Sequence, residues 1–140
     1  MKNLFVLFSV GNAGVFSNAG DLAILAAMLL NNGELNGKRI MSPLTVKAMS
    51  SVPKGFEEFG RTLGWDSLSD RGDKSMPCEL FGSSVYGHTG FTGTMLVIVP
   101  ETQTAIILLT NRVHLKTGNV ERMRRLVVNA VAGAIVGSEY

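Results

Sequence analysis

With 140 residues, 46% of them hydrophobic and 17% charged, the chain has the composition of one globular domain and not of a disordered tract. A fold of this size buries roughly two-thirds of the surface its unfolded chain exposes, so it needs neither disulfides nor a structural metal to hold together. Thirteen Lys and Arg against eleven Asp and Glu leave a net charge of +2, too near balance to imply a polyanionic partner such as nucleic acid. The single cysteine, Cys78, cannot close an internal disulfide, and no Cys or His pair stands at metal-ligand spacing, so no metal or other cofactor is expected.

The longest apolar runs, Leu22 to Leu30 and Leu126 to Val136, fall short of the roughly 18 to 20 residues that cross a bilayer, so no membrane span is expected. At the start, Leu4-Phe5-Val6-Leu7-Phe8 follows one lysine, and no Ala-x-Ala site precedes Gly11. A short strand or a chain end is therefore favoured there over a secretion signal, and the compartment stays open. Residues 1–10 are read as a strand or extension, and 11–140 as the domain proper.

Ser17 is the expected N-cap of a helix from about Asn18 to Asn32, with Asp21 in its first turn where the helix dipole favours negative charge. Its apolar residues lie on nearly every side, which predicts a central helix covered around most of its circumference and stopped by Gly33. Ser42-Pro43 then opens a short helix to about Ser50, and Pro53 and Gly55 end it. Ser51 to Gly87 reads as a long glycine-rich excursion with one strand-like piece at Leu63-Gly64-Trp65; loops of that length usually border a site.

Three strands are expected at Ser84 to Thr89, Thr94 to Val99 and Thr104 to Thr110, the last two forming an antiparallel hairpin across Pro100-Glu101-Thr102-Gln103. Both hairpin arms are too uniformly apolar to have a wet face, so helices should cover the sheet on both sides. The last segment places Val120, Met123, Leu126, Val127, Ala130, Val131, Ala134 and Ile135 at helical spacing, with Arg122, Arg124, Arg125 and Asn129 on an opposite, solvated face. The expected class is α/β of the α+β type: an antiparallel sheet of three or more strands with helices on both faces.

His88-Thr89-Gly90-Phe91-Thr92-Gly93-Thr94 leads into a buried strand. Glycines there let a substrate or another backbone approach closely, while a threonine hydroxyl and an imidazole can donate to a carboxylate or oxyanion. On the tripeptide alone, a bulge with His88 as a satisfied edge residue is the simpler reading. More is carried by the order of Gly11-Asn12-Ala13-Gly14-Val15-Phe16-Ser17, Met28-Leu29-Leu30-Asn31-Asn32-Gly33, Met41-Ser42-Pro43, Leu63-Gly64-Trp65-Asp66, Tyr86-Gly87-His88-Thr89-Gly90-Phe91-Thr92-Gly93-Thr94 and Leu108-Leu109-Thr110-Asn111-Arg112-Val113-His114. In that order and spacing, from about Gly11 to Val136, the chain resembles the C-terminal half of the β-lactamase-related serine hydrolases, which include class C β-lactamases, D-alanyl-D-alanine peptidases and esterases.

The resemblance implies a partial β-lactamase or transpeptidase-like fold whose Lys-Thr-Gly or His-Thr-Gly strand walls the active site. His88 would supply positive or hydrogen-bonding character, Thr89 would contact a substrate carboxylate or carbonyl, and Gly90 would keep the wall low. The backbone amide of Phe91 would be an oxyanion donor, and Gly93 would lend backbone to a ligand in the cleft. It also implies that the last strand, Thr104 to Asn111, pairs with a strand of a missing N-terminal part; because Leu4 to Phe8 is β-prone, Asn3 to Val10 is expected to cover that edge instead, or else a second copy.

The family's nucleophile is a Ser-x-x-Lys on a helix start early in the chain, followed by a Tyr-x-Asn or similar triplet. Ser51-Val52-Pro53-Lys54 comes after the Gly11 to Gly33 block, and Pro53 and Gly55 oppose the helical turn that would set Lys54 over Ser51. Lys116-Thr117-Gly118 lies between a strand end and a helix start, where a capping turn is expected. No Tyr-x-Asn or Ser-x-Asn occurs, and Asn12 stands where the family's block would carry histidine. Arg71-Gly72-Asp73 reads as a polar turn, and Cys78 as a bystander.

The expectation is therefore a piece of a serine hydrolase that has the substrate wall without the attacking group, inactive alone, its parent acting on a small molecule or peptide. The alternatives are a ligand-binding module using the remnant cleft, and a complete small esterase with a serine such as Ser83 or Ser84.

Overall fold

The computed structural model describes residues 14–68, 76–114 and 118–136. Residues 1–13, with the proposed leading strand and the first part of the Gly11 to Ser17 block, lie outside that set, as do Arg71-Gly72-Asp73, Lys116-Thr117 and Gly137.

Helix α1 spans Ala19–Leu30 and is capped by Asn18, not by Ser17. Asn18 bonds Asp21 twice: its Oδ1 accepts from the Asp21 amide at 3.1 Å while its Nδ2 donates to the Asp21 carboxylate at 2.8 Å. The helix ends where Asn32 and Gly33 take positive φ, and the Gly33 amide reaches back to Met28 O at 2.8 Å. Only one of its faces is covered among the described residues: Ala26, Met28 and Leu29 are buried, whereas Ile24 and Leu25 are 53% and 36% exposed. The helix expected to be enclosed is thus half open.

A two-residue hairpin that the sequence reading passed over follows, β1 (Glu34–Leu35) and β2 (Lys38–Arg39), turning on Asn36-Gly37, both with positive φ. Helix α2 (Pro43–Ser50) begins as expected, the Ser42 Oγ accepting from the Thr45 amide at 3.0 Å with proline in the first turn. Among its described residues the loop-rich excursion holds a 3₁₀ turn, Glu57–Phe59, and the short strand β3 at Asp66–Ser67. The strand expected at Leu63-Gly64-Trp65 is instead a turn, because the Thr62 hydroxyl accepts from the Gly64 and Trp65 amides and ties them away from a ladder. The ladder to β4 starts only at Asp66.

Strands β4 (Tyr86–Thr89), β5 (Met95–Val99) and β6 (Thr104–Leu108) complete a four-stranded antiparallel sheet in the order β3-β4-β5-β6. All five residues of β5 are buried, and they alternate between two cores. Met95, Val97 and Val99 join Ile106 and Val85 against Val128 of helix α3 (Glu121–Val136). Leu96 and Ile98 join Tyr86 against Ala26, Met28 and Leu29 of α1 and Val46 of α2. Helices therefore cover both faces, and the chain is a small α+β domain.

The buried line through α3 differs from expectation: it runs from Val120, just before the helix, through Arg124, Val128 and Ala132, while Met123 and Leu126 are exposed. Arg124, placed by the sequence reading on a solvated face, is 3% exposed. Its guanidinium is drawn inward by carbonyl acceptors described below, which offset the cost of burying a charge.

Candidate functional site

Along β4, strand β3 pairs with Tyr86 and Gly87 and reaches no further. From His88 onward the outer edge of β4 therefore has no partner among the described residues, although its inner edge is fully paired with β5. The His88 ring is exposed, with Nδ1 2.8 Å from the Thr89 carbonyl, and Thr89 and Gly90 are half-buried. An unpaired strand edge offers backbone donors and acceptors to an extended ligand.

The turn from Gly90 to Thr94 closes on itself, the Gly90 amide donating to Thr94 O at 2.8 Å and the Gly93 amide to Gly90 O at 3.1 Å. Elements packed behind it hold its other carbonyls. The Arg112 amide donates to Thr92 O at 2.9 Å, Arg112 Nε to Phe91 O at 2.6 Å, and the Thr110 hydroxyl to Gly93 O at 2.7 Å. Arg124 Nη2 donates to both Gly90 O at 2.8 Å and Thr94 O at 3.0 Å, while its Nη1 pairs with Glu121 at 2.9 Å. Arg124 Nε is buried without a partner among the described residues. Every carbonyl from Gly90 to Thr94 is thus an acceptor, whereas the amides of Phe91 and Thr92 donate to no acceptor among the described residues. Successive free amides on a turn whose carbonyls are all held elsewhere form a concavity of donors suited to an anionic oxygen.

Two glycines are needed for this shape. A Cβ on Gly90 would lie 2.2 Å from the Thr94 hydroxyl. Gly93 has a φ of +112°, and a Cβ there would meet the Thr110 hydroxyl at 3.0 Å and the Thr110 carbonyl at 3.1 Å. Gly93 is itself buried, with its carbonyl taken by Thr110. The Phe91 ring is 73% exposed, and the Arg112 guanidinium stacks on it at 5.0 Å from the centroid.

Other candidate groups lie elsewhere. Burial pushes the Cys78 thiol up to about 12, so it stays protonated at neutral pH. Ser83 and Ser84 are exposed in a turn, closed by the Val85 amide on Gly82 O, that leads into β4. Ser51 closes α2 in an extended backbone conformation, with φ −101° and ψ 142°, and does not open a helix toward Lys54. No group of three His, Cys, Asp or Glu side chains among the described residues could hold a metal, and no described helix is long and apolar enough to cross a membrane.

Residues 2–130 match the Beta-lactamase family. The chain belongs to that family. Among its curated relatives are a protein named "Putative D-alanyl-D-alanine carboxypeptidase" from Escherichia coli O157:H7, 38% identical over 104 residues, and an "N-acetylmuramyl-L-alanine amidase" from Bacillus subtilis, 38% identical over 108 residues. Each match covers 74% of this chain, but 24% and 23% of the relatives, respectively. The chain therefore spans about a quarter of the length of the curated relatives it matches.

On this Beta-lactamase family chain, the residues selected from sequence, His88, Thr89, Gly90, Phe91 and Gly93, fall together at one end of β4 and on the turn after it. Thr110, Arg112 and Arg124 were not selected, yet they hold that turn. A signal for Arg124 was present: it lies four residues from both Val120 and Val128, in line with the buried positions.

Proposed function

We propose that this chain forms the substrate-receiving wall of a serine hydrolase, with the attacking serine and its base supplied from outside these 140 residues. The observation that carries the reading is the turn itself, with five carbonyls held from behind and, among the described residues, the Phe91 and Thr92 amides without an acceptor beside a strand edge without a partner. In this role an extended substrate lies along His88 and Thr89, with Thr89 and the His88 ring on its carboxylate or carbonyl. The Phe91 amide receives the oxygen that becomes anionic when the nucleophile adds. Such a donor is worth roughly 2.7 to 4 kcal/mol of transition-state stabilisation when a nucleophile attacks in front of it.

The names of the relatives point to the class of substrate. One is named for a carboxypeptidase acting on D-alanyl-D-alanine and another for an amidase acting at a muramyl-L-alanine bond, so a cell-wall stem peptide fits the wall best. A partner completes the site. Strand β6 ends the sheet with no further strand beside it among the described residues, and together with the exposed apolar side chains of α1 it is where the rest of a longer enzyme, or a second copy, would join.

Titration of the labelled chain with D-alanyl-D-alanine, followed by amide chemical shifts, tests the reading. Shifts confined to residues 87–94 support it. Shifts absent there, or centred elsewhere, refute it.

A further inference from the structure

The carbonyl of Gly90 and the amide of Phe91 belong to one peptide group. Arg124 Nη2 donates a charge-assisted hydrogen bond to that carbonyl at 2.8 Å, and the opposite end of the same group is the unused Phe91 N–H. Hydrogen bonding to a peptide oxygen draws electron density from its nitrogen and makes the N–H a stronger donor, and the effect is larger where the cation is out of water. Arg124 is 3% exposed, and its one acidic partner, Glu121, has a side chain that is 50% exposed. The same nitrogen also bonds Thr94 O at 3.0 Å, so one guanidinium pins both ends of the turn from the far side of the sheet.

We propose that Arg124 is a positioning residue of the site: with Thr110 and Arg112 it fixes the Gly90 to Thr94 turn, and it alone among them polarises the Gly90–Phe91 peptide so that the Phe91 amide is a strong donor to an anionic oxygen. This rests on the reading of that amide as the oxyanion donor. Arg112 does not duplicate the role, because its Nε bonds Phe91 O and so acts on the following peptide, that of the Thr92 amide.

Arg124→Met keeps the length and apolar packing of the side chain while removing the donors. Gly90 O retains the Gly93 amide and Thr94 O the Gly90 amide, so neither carbonyl is orphaned and the variant folds. In the isotope-labelled full chain, Arg124→Met moves the Gly90 carbonyl carbon and the Phe91 nitrogen upfield. Protection of the Gly90 and Gly93 amides against hydrogen exchange falls about tenfold, while that of Val97 and Ile98 in β5 stays within about twofold. Arg124→Lys keeps the charge on a shorter reach and restores part of both shifts.

Unchanged Gly90 and Phe91 shifts in Arg124→Met would overturn the proposal, as would an equal loss of protection at Val97 and Ile98, which a general role in the core produces. A variant that does not fold shifts the test to the wild-type chain: separate, slowly exchanging Arg124 Nη protons are expected, and a single averaged signal would overturn the proposal. A D-alanyl-D-alanine titration that leaves residues 87–94 unmoved, with the Arg124→Met shifts intact, removes the wall reading and leaves the clamp standing.

Discussion

Replacing Gly93 by alanine tests whether the turn is held as tightly as its hydrogen bonds imply. The position has a φ of +112°, where an L side chain is strained by about 1 to 3 kcal/mol. The new Cβ would also sit 3.0 Å from the Thr110 hydroxyl, the group that donates to Gly93 O. Moving that hydroxyl aside forfeits a bond worth about 1 kcal/mol, and leaving it in place costs a similar amount in overpacking. These costs partly relieve one another, so a total of about 3 kcal/mol is expected, or a fall of roughly 6 to 12 °C in melting temperature for a chain of this size.

Urea unfolding followed by the emission of Trp65 reads the change, since this residue, the one tryptophan of the chain, packs 5.7 Å from the Tyr86 ring beside the same sheet. Gly55→Ala is the matched control: its φ is +86° but nothing lies within 4 Å of its added Cβ, so it carries strain without crowding and should cost visibly less. If Gly93→Ala unfolds within about 0.5 kcal/mol of wild type, or no further from it than Gly55→Ala, the turn is not held as described.

Two further outcomes follow from the same coordinates. Gly133 lies exposed inside α3 with open space around it, so Gly133→Ala should raise stability by about 0.5 to 1 kcal/mol in the same urea assay. Burial raises the Cys78 thiol from 9.0 to about 12, so above pH 9 the unfolded chain loses this proton first and stability declines as pH climbs toward 12. Cys78→Ala should show a smaller loss of urea midpoint between about pH 8 and about pH 10.5, the remainder including Tyr86, whose hydroxyl is also raised by burial.

The sheet and its two covering layers were legible because β5 is apolar at every position and β6 at all but Thr104, which no half-wet strand can be. So was α2, whose Ser42-Pro43 start acts within one turn of chain. The cap of α1 shifted from Ser17 to Asn18 because two adjacent polar residues could each cap the helix, and the Asn18 amide bonds both the backbone and the carboxylate of Asp21. The Asn36-Gly37 hairpin carried a plain turn signal, masked by strands of two residues each. Thr62 took a strand away from Leu63 to Trp65 through side-chain bonds that hydropathy does not record.

The site was legible only in its front. His88 to Gly93 form one continuous stretch, so their proximity was already present in the chain. Arg124 and Thr110 reach that stretch from 34 and 17 residues away, and neither spacing nor charge discloses such a contact before the sheet is folded. A charged residue within an apolar helical line could have indicated a buried role, but charge on a helix is more often solvated, and that expectation prevailed.

The central claim is that these residues receive a substrate whose attacker comes from elsewhere. Exposure of the purified chain to a fluorophosphonate, followed by intact-mass measurement, tests it most directly. An unchanged mass is expected. A covalent adduct on any serine, Ser51, Ser83 and Ser84 included, would contradict it.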